Sequence, residues 1–126
     1  MPTSLSTDLY EVLMAAGYQT LGRDEPACFE LSLRELPGSR GYAVAAGLEQ
    51  VLDYLEDLQF NRDQIDYLRG LPALASAPAG FFDEYLPNFR FRGEVWAIPE
   101  GKAIFGMEPL LQVIGSLPEA QLVETA

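Results

Sequence analysis

The sequence predicts one mixed domain of helices and short strands, and three observations carry that expectation. Apolar residues recur at helical spacing in two long stretches, 9–21 and 42–58. They alternate with polar residues over 28–36, as on a half-buried strand, and beyond residue 88 they break into short runs separated by glycine and proline turns. With 126 residues, 48% of them hydrophobic, the chain is one domain's worth and can bury a real core.

The first helix is expected to begin at Ser6-Thr7-Asp8-Leu9-Tyr10-Glu11. Ser6, Thr7 and Asp8 can each cap it, and Asp8 with Glu11 has the spacing of a reciprocal capping box. Leu9, Val12, Leu13 and Ala16 then form one apolar stripe, with Tyr10, Met14 and Leu21 beside it, and the run ends at Gly22. Tyr10 therefore falls in the first turn. Its spacing fits an amphipathic residue at the edge of the core. The alternative is a ring laid against a flat ligand, at a place where free N–H groups and the positive end of the helix dipole favour an anion.

Residues 28–36 predict a strand with Phe29, Leu31 and Leu33 on one side and Glu30, Ser32 and Arg34 on the other. Arg34 reads either as a solvated strand residue or as an anion clamp. After a loop at 37–41, the stretch 42–58 predicts a long helix on Val44, Leu48, Val51, Leu52, Leu55 and Leu58, with Glu49, Asp53, Glu56 and Asp57 as its solvated face. Asn61 and Gln64 form a capping box for a short helix carrying Ile65 and Leu68, and 71–80 is a surface connection. A helical turn or two at 81–86 is expected to close at Pro87. Phe89, Phe91, Val95, Ala97 and Ile98 then mark strands, with Arg90, Arg92 and Glu94 interleaved and Gly93 a turn or bulge.

A tight turn at 99–102 precedes two short strands, 103–105 and 110–114. Lys102, the only lysine, sits beside a turn glycine as the modified lysine of a carrier module does, but lacks the flanking residues of such modules. Ser116 with Glu119, and Pro118 in the first turn, start a last helix near 117. No glycine cap, basic last turn or breaker follows before Ala126, so the chain is expected to end within that helix, its apolar face uncovered.

Composition excludes several classes of function. Eight basic against nineteen acidic residues give a net charge of −11, unfavourable for nucleic acid and for anionic membranes. Cys28 is the only cysteine and no export signal opens the chain, which points to the cytoplasm. There is no histidine, which removes the commonest general base and the usual metal ligand. No glycine-rich phosphate loop and no paired-carboxylate site is present, so no residue is assigned a catalytic or metal-binding role.

Several segments, in order, carry a resemblance: Thr7-Asp8-Leu9-Tyr10 with Met14-Ala15-Ala16-Gly17-Tyr18; Phe29-Glu30-Leu31 with Arg34 and Leu36-Pro37; Arg40-Gly41-Tyr42-Ala43-Val44-Ala45-Ala46-Gly47-Leu48; Phe89 through Gly101; Glu108-Pro109-Leu110-Leu111; and Glu119 through Thr125. Over its whole length the chain resembles the N-terminal part of nicotinate phosphoribosyltransferase. It departs from the family pattern at Gly106-Met107 and over 112–116. The resemblance implies an α+β fold, the hammerhead-type N-terminal domain of the type II phosphoribosyltransferases, with helices packed on a small, mostly antiparallel β unit and followed in the family by an irregular α/β barrel. It implies an enzyme of NAD salvage that joins nicotinate and phosphoribosyl pyrophosphate into nicotinate mononucleotide, coupled to ATP hydrolysis through a phosphorylated histidine.

Without histidine, these residues cannot supply that group, and the chain alone is expected to be inactive. ATP and Mg2+ are expected for the full-length enzyme and no cofactor for these residues. The resemblance further implies a head-to-tail homodimer in which the N-terminal helix of one subunit reaches the barrel of the other. Tyr10 would stack on the pyridine ring, Asp8 would help position it, and Arg34 would contact a phosphate of the sugar substrate. The alternative from another class is a non-catalytic interaction module that associates, through the uncovered last helix, with itself or with a full-length relative.

Overall fold

The computed structural model describes residues 3–36 and 38–125. Helix α1 (Leu9–Leu21) leads into strand β1 (Pro26–Ser32), a two-residue strand β2 (Ala43–Val44), and helices α2 (Leu48–Asp57) and α3 (Arg62–Arg69). A 3-10 turn (Pro72–Leu74) and a π-helical segment (Phe81–Tyr85) running into α4 (Leu86–Asn88) come next. Strands β3 (Glu94–Ala97), β4 (Ala103–Ile104) and β5 (Pro109–Ser116) and helix α5 (Leu117–Leu122) complete the described chain. The α+β class holds: helices pack on a three-stranded antiparallel sheet ordered β1-β5-β3, with β2 and β4 as a separate antiparallel pair.

Register decides which side chains face inward. Phe29, Val113 and Val95 stand opposite one another across β1, β5 and β3, and Val113 is buried. One residue along, Glu30, Gln112 and Trp96 form the outer row, where the Gln112 amide donates to Glu30. The core joins Val12, Ala15 and Ala16 of α1 to Tyr54 and Leu55 of α2, Ile65 and Leu68 of α3, and Val113 and Leu122. An aromatic chain threads it: Phe60 meets Phe89 edge-on at 5.7 Å between centroids, Phe89 meets Tyr85 at 5.8 Å, and Tyr85 stacks on Phe81 at 5.6 Å.

Several elements depart from the sequence-based expectation, each for a local reason. The helix expected over 42–58 starts only at Leu48, because Gly47 takes a left-handed φ of 98° and residues 43–44 pair with β4. Its cap comes from far along the chain: Glu100 accepts hydrogen bonds from the Gly47 and Leu48 N–H groups, both at 2.7 Å. Pro87 does not close the segment before it. The Leu86 N–H reaches back five residues to Phe81 O, and this wider turn carries the helix past the proline to Asn88.

The capping box at Asn61 and Gln64 forms as expected, with both bonds at 2.9 Å. The box expected at Asp8 and Glu11 does not: Asp8 is the N-cap by backbone geometry, but its side chain makes no cap bond and Glu11 turns into the interior. The buried face of α1 is accordingly Glu11, Val12, Ala15 and Ala16, while Leu9, Leu13 and Met14 remain exposed.

The last helix was expected to run to the chain end with a bare face. It closes at Leu122, and Pro118, Ala120, Gln121 and Leu122 are all buried. Glu119 fixes its start by accepting from the Ser116 N–H at 3.0 Å and hydroxyl at 2.8 Å, and from the Arg92 N–H at 3.1 Å.

Two substitutions check this packing. A Cβ at Gly93 would lie 2.2 Å from Ile114 O and 2.7 Å from the Phe91 ring, so Gly93→Ala must push β3 from β5. It is expected to destabilise the fold by about 3 kcal/mol in urea unfolding, and an unchanged midpoint contradicts the contact. Tyr54 has a buried hydroxyl with no partner, and burial, with the field of Glu11, pushes its phenol up to about 12 from 10.0. A raised phenol pKa favours the neutral form in the fold, so this contribution is complete below pH 10 and lost as pH rises through about 12. Tyr54→Phe should stabilise the domain at pH 7 by about 1 kcal/mol and flatten that alkaline loss in thermal unfolding.

Candidate functional site

The beginning of an α-helix presents unpaired N–H groups and a partial positive charge, which suits carboxylates and anionic ligands. At the start of α1 the sequence places Thr7, Asp8, Tyr10 and Glu11, and the fold sends each to a different task. Asp8 sits at the N-cap with an extended backbone, φ −82° and ψ 147°, its side chain exposed. Tyr10 lies in the first turn with 44% of its surface open to solvent. Glu11, one residue on, has no exposed surface.

The tail after α5 supplies the partners. The Thr7 hydroxyl donates to Oε2 of Glu11 and the Thr125 hydroxyl to Oε1. Thr7 Oγ1 also lies 3.4 Å from the Leu122 carbonyl oxygen. One residue away the Glu124 carboxylate, as a neighbouring acceptor and charge, pushes the Tyr10 phenol up to about 12, with slight desolvation and the charge of Glu11 adding to it and Thr125 opposing it. Gln121, itself buried, donates its amide to Glu124 and accepts from the Tyr18 hydroxyl at 3.4 Å. Two segments more than a hundred residues apart in sequence thus form one network around the first turn of α1.

Tyr10 and Asp8 are therefore brought together at one exposed helix start. Arg34 is not on β1 as the alternation suggested: the strand ends at Ser32, and Arg34 follows in an exposed bend beside the turn at 105–108, where Leu33 O accepts from the Met107 N–H at 2.7 Å. Among the described residues it forms no ion pair and no hydrogen bond to Asp8 or Tyr10.

Sequence reasoning gave Glu11 only a capping-box role with Asp8, and gave Gln121, Glu124 and Thr125 none. Glu11 stands four residues after Thr7, which precedes the N-cap, so the two are near in sequence, but nothing in the local pattern pairs either with residue 125. Chemically the site offers a neutral phenol, an exposed carboxylate and an aromatic face. It offers no histidine, and among the described residues no group of three or more acidic or cysteine side chains is arranged to hold a metal ion. Nor is any helix among them long and apolar enough to cross a membrane.

Comparison with known proteins agrees over nearly the whole chain. Residues 5–126 match the family described as nicotinate phosphoribosyltransferase (NAPRTase) N-terminal domain. The Mycobacterium tuberculosis protein named nicotinate phosphoribosyltransferase pncB2 is 45% identical over 97% of this chain and 26% of its own length. The Bacillus subtilis nicotinate phosphoribosyltransferase is 41% identical over 98% of this chain and 24% of its own length. Among solved structures, human nicotinic acid phosphoribosyltransferase superposes with a TM-score of 0.83 at 37% identity, covering 94% of this chain and 24% of that one. The chain spans about a quarter of the length of the relatives it matches. It belongs to the nicotinate phosphoribosyltransferase family and corresponds to that family's N-terminal domain.

Proposed function

We propose that this chain is the N-terminal portion of an NAD-salvage enzyme that joins nicotinate to phosphoribosyl pyrophosphate, giving nicotinate mononucleotide and pyrophosphate with ATP hydrolysis. The observation that carries the domain's part in it is Tyr10, an aromatic ring 44% exposed at a helix start. A ring open on its face at such a place suits stacking on a flat heteroaromatic acid. Asp8 borders the same turn and helps orient the ring or its surroundings. Arg34 contacts a phosphate of the sugar substrate; its exposed guanidinium, in no ion pair among the described residues, supports that role, since a local bidentate donor can offset the unfavourable field of a chain charged −11.

No catalytic residue is assigned to this chain. The described residues do not fit a metal site, and we place ATP and Mg2+ use in the part of the enzyme that they do not include. The site is completed by the barrel of a second subunit in a cytoplasmic homodimer. The interaction-module reading relied on a bare last helix, and α5 is covered by α1 and the sheet.

Two outcomes follow. Purified residues 1–126 incubated with nicotinate, phosphoribosyl pyrophosphate and ATP are expected to form no nicotinate mononucleotide, and turnover above a heat-killed control contradicts this. When the chain replaces the matching quarter of the Mycobacterium relative, Tyr10→Ala should raise KM for nicotinate about tenfold or more, the loss of one aromatic stack. Tyr10→Phe should change it far less, and an unchanged KM in Tyr10→Ala removes the assignment.

A further inference from the structure

A carboxylate with no exposed surface ordinarily has a cation beside it. Glu11 has none among the described residues: both of its oxygens are taken by hydroxyls, Thr7 on one and Thr125 on the other. The nearby Tyr54 hydroxyl feels its charge without bonding it. A leucine would fill the same space without having to be desolvated as an anion. What an acid adds is two directional acceptors, and here they bind opposite ends of the chain.

The contacts come at two points along one face of α1. Glu11 engages Thr125 and, two turns further along, Tyr18 engages Gln121. Residues seven apart on a helix share a face, so bonds from both to one short segment stop α1 from rotating about its axis. A single hydrogen bond would leave that rotation free.

We infer that Glu11, held between Thr7 and Thr125, is a positioning residue that fixes the rotation of the first turn of α1 and so the direction in which the Tyr10 ring faces. Its place in function rests on the nicotinate-stacking role proposed for Tyr10. Thr125 then belongs to the site although it lies 115 residues from Tyr10 in sequence.

The test uses the full 126-residue chain with ring-labelled tyrosine and phenylalanine, the Tyr10 signal being assigned from Tyr10→Phe. Thr125→Val is expected to move the Tyr10 ring signal toward that of free tyrosine and to speed amide exchange at residues 11–13 about tenfold, while signals from the Phe60 and Phe89 rings in the core stay in place. Thr125→Ser, which keeps the hydroxyl, should restore the parent signal. Glu11→Gln and Thr7→Val should act like Thr125→Val, and if Glu11→Gln does not fold, the two threonine variants carry the result. An unmoved Tyr10 signal in folded Thr125→Val, or a serine variant as disruptive as valine, overturns the inference. Nicotinate takes no part in this readout, so its failure is distinct from an unchanged nicotinate KM in Tyr10→Ala.

Discussion

Burying an anion without a counter-charge is among the more expensive things a fold can do, and this domain does it at Glu11. The cost is offset by two threonine hydroxyls and by the position itself, in the first turn of α1, where the helix dipole favours negative charge. Much of the remaining architecture is arranged so that these partners can meet. For Thr125 to reach Glu11, α5 must lie along α1, and α5 is launched in that direction from the end of β5 by the Ser116 and Glu119 capping contacts. Strand β5 sits at the centre of its sheet, paired on both sides, which makes that launching point rigid.

The same use of distant acids recurs at α2. That helix has no capping side chain of its own, and Glu100 supplies one from the turn before β4. Glu119 similarly holds the Arg92 N–H as well as its own helix start. For a chain with nineteen acidic residues, this is an economical way to employ negative charge: carboxylates become acceptors for backbone N–H groups at helix starts and turns. Those remaining on the surface, as on the outer face of α2, account for the net charge.

Elements governed by neighbouring residues were legible in the sequence. The Asn61 and Gln64 box, the Ser116 and Glu119 start and the turn at 99–102 rest on contacts within a few residues, and the strand near 28 shows in its own alternation although its partner is the distant β5. Elements decided by distant partners were not. Apolar periodicity carried the second helix back to residue 42, but Gly47 and the pairing of Ala43–Val44 with β4 override it. Glu11 has capping-box spacing, and only the position of Thr125 in three dimensions shows that its carboxylate is used inward instead. Of the site, Tyr10 and Asp8 were placed by motif at the helix start they occupy; Arg34 was placed on a strand that ends two residues earlier. Glu124 and Thr125 were seen as part of a motif and given no role.

The central claim is that the start of α1 and the tail after α5 are one mechanical unit joined through Glu11. Native-state hydrogen exchange across a denaturant series tests it most directly. The bonded amides at residues 11–13 and 121–124 are predicted to open together, with the same free energy and the same denaturant dependence. If the tail opens at low denaturant while the first turn of α1 keeps its protection, the two segments are independent and the account is wrong.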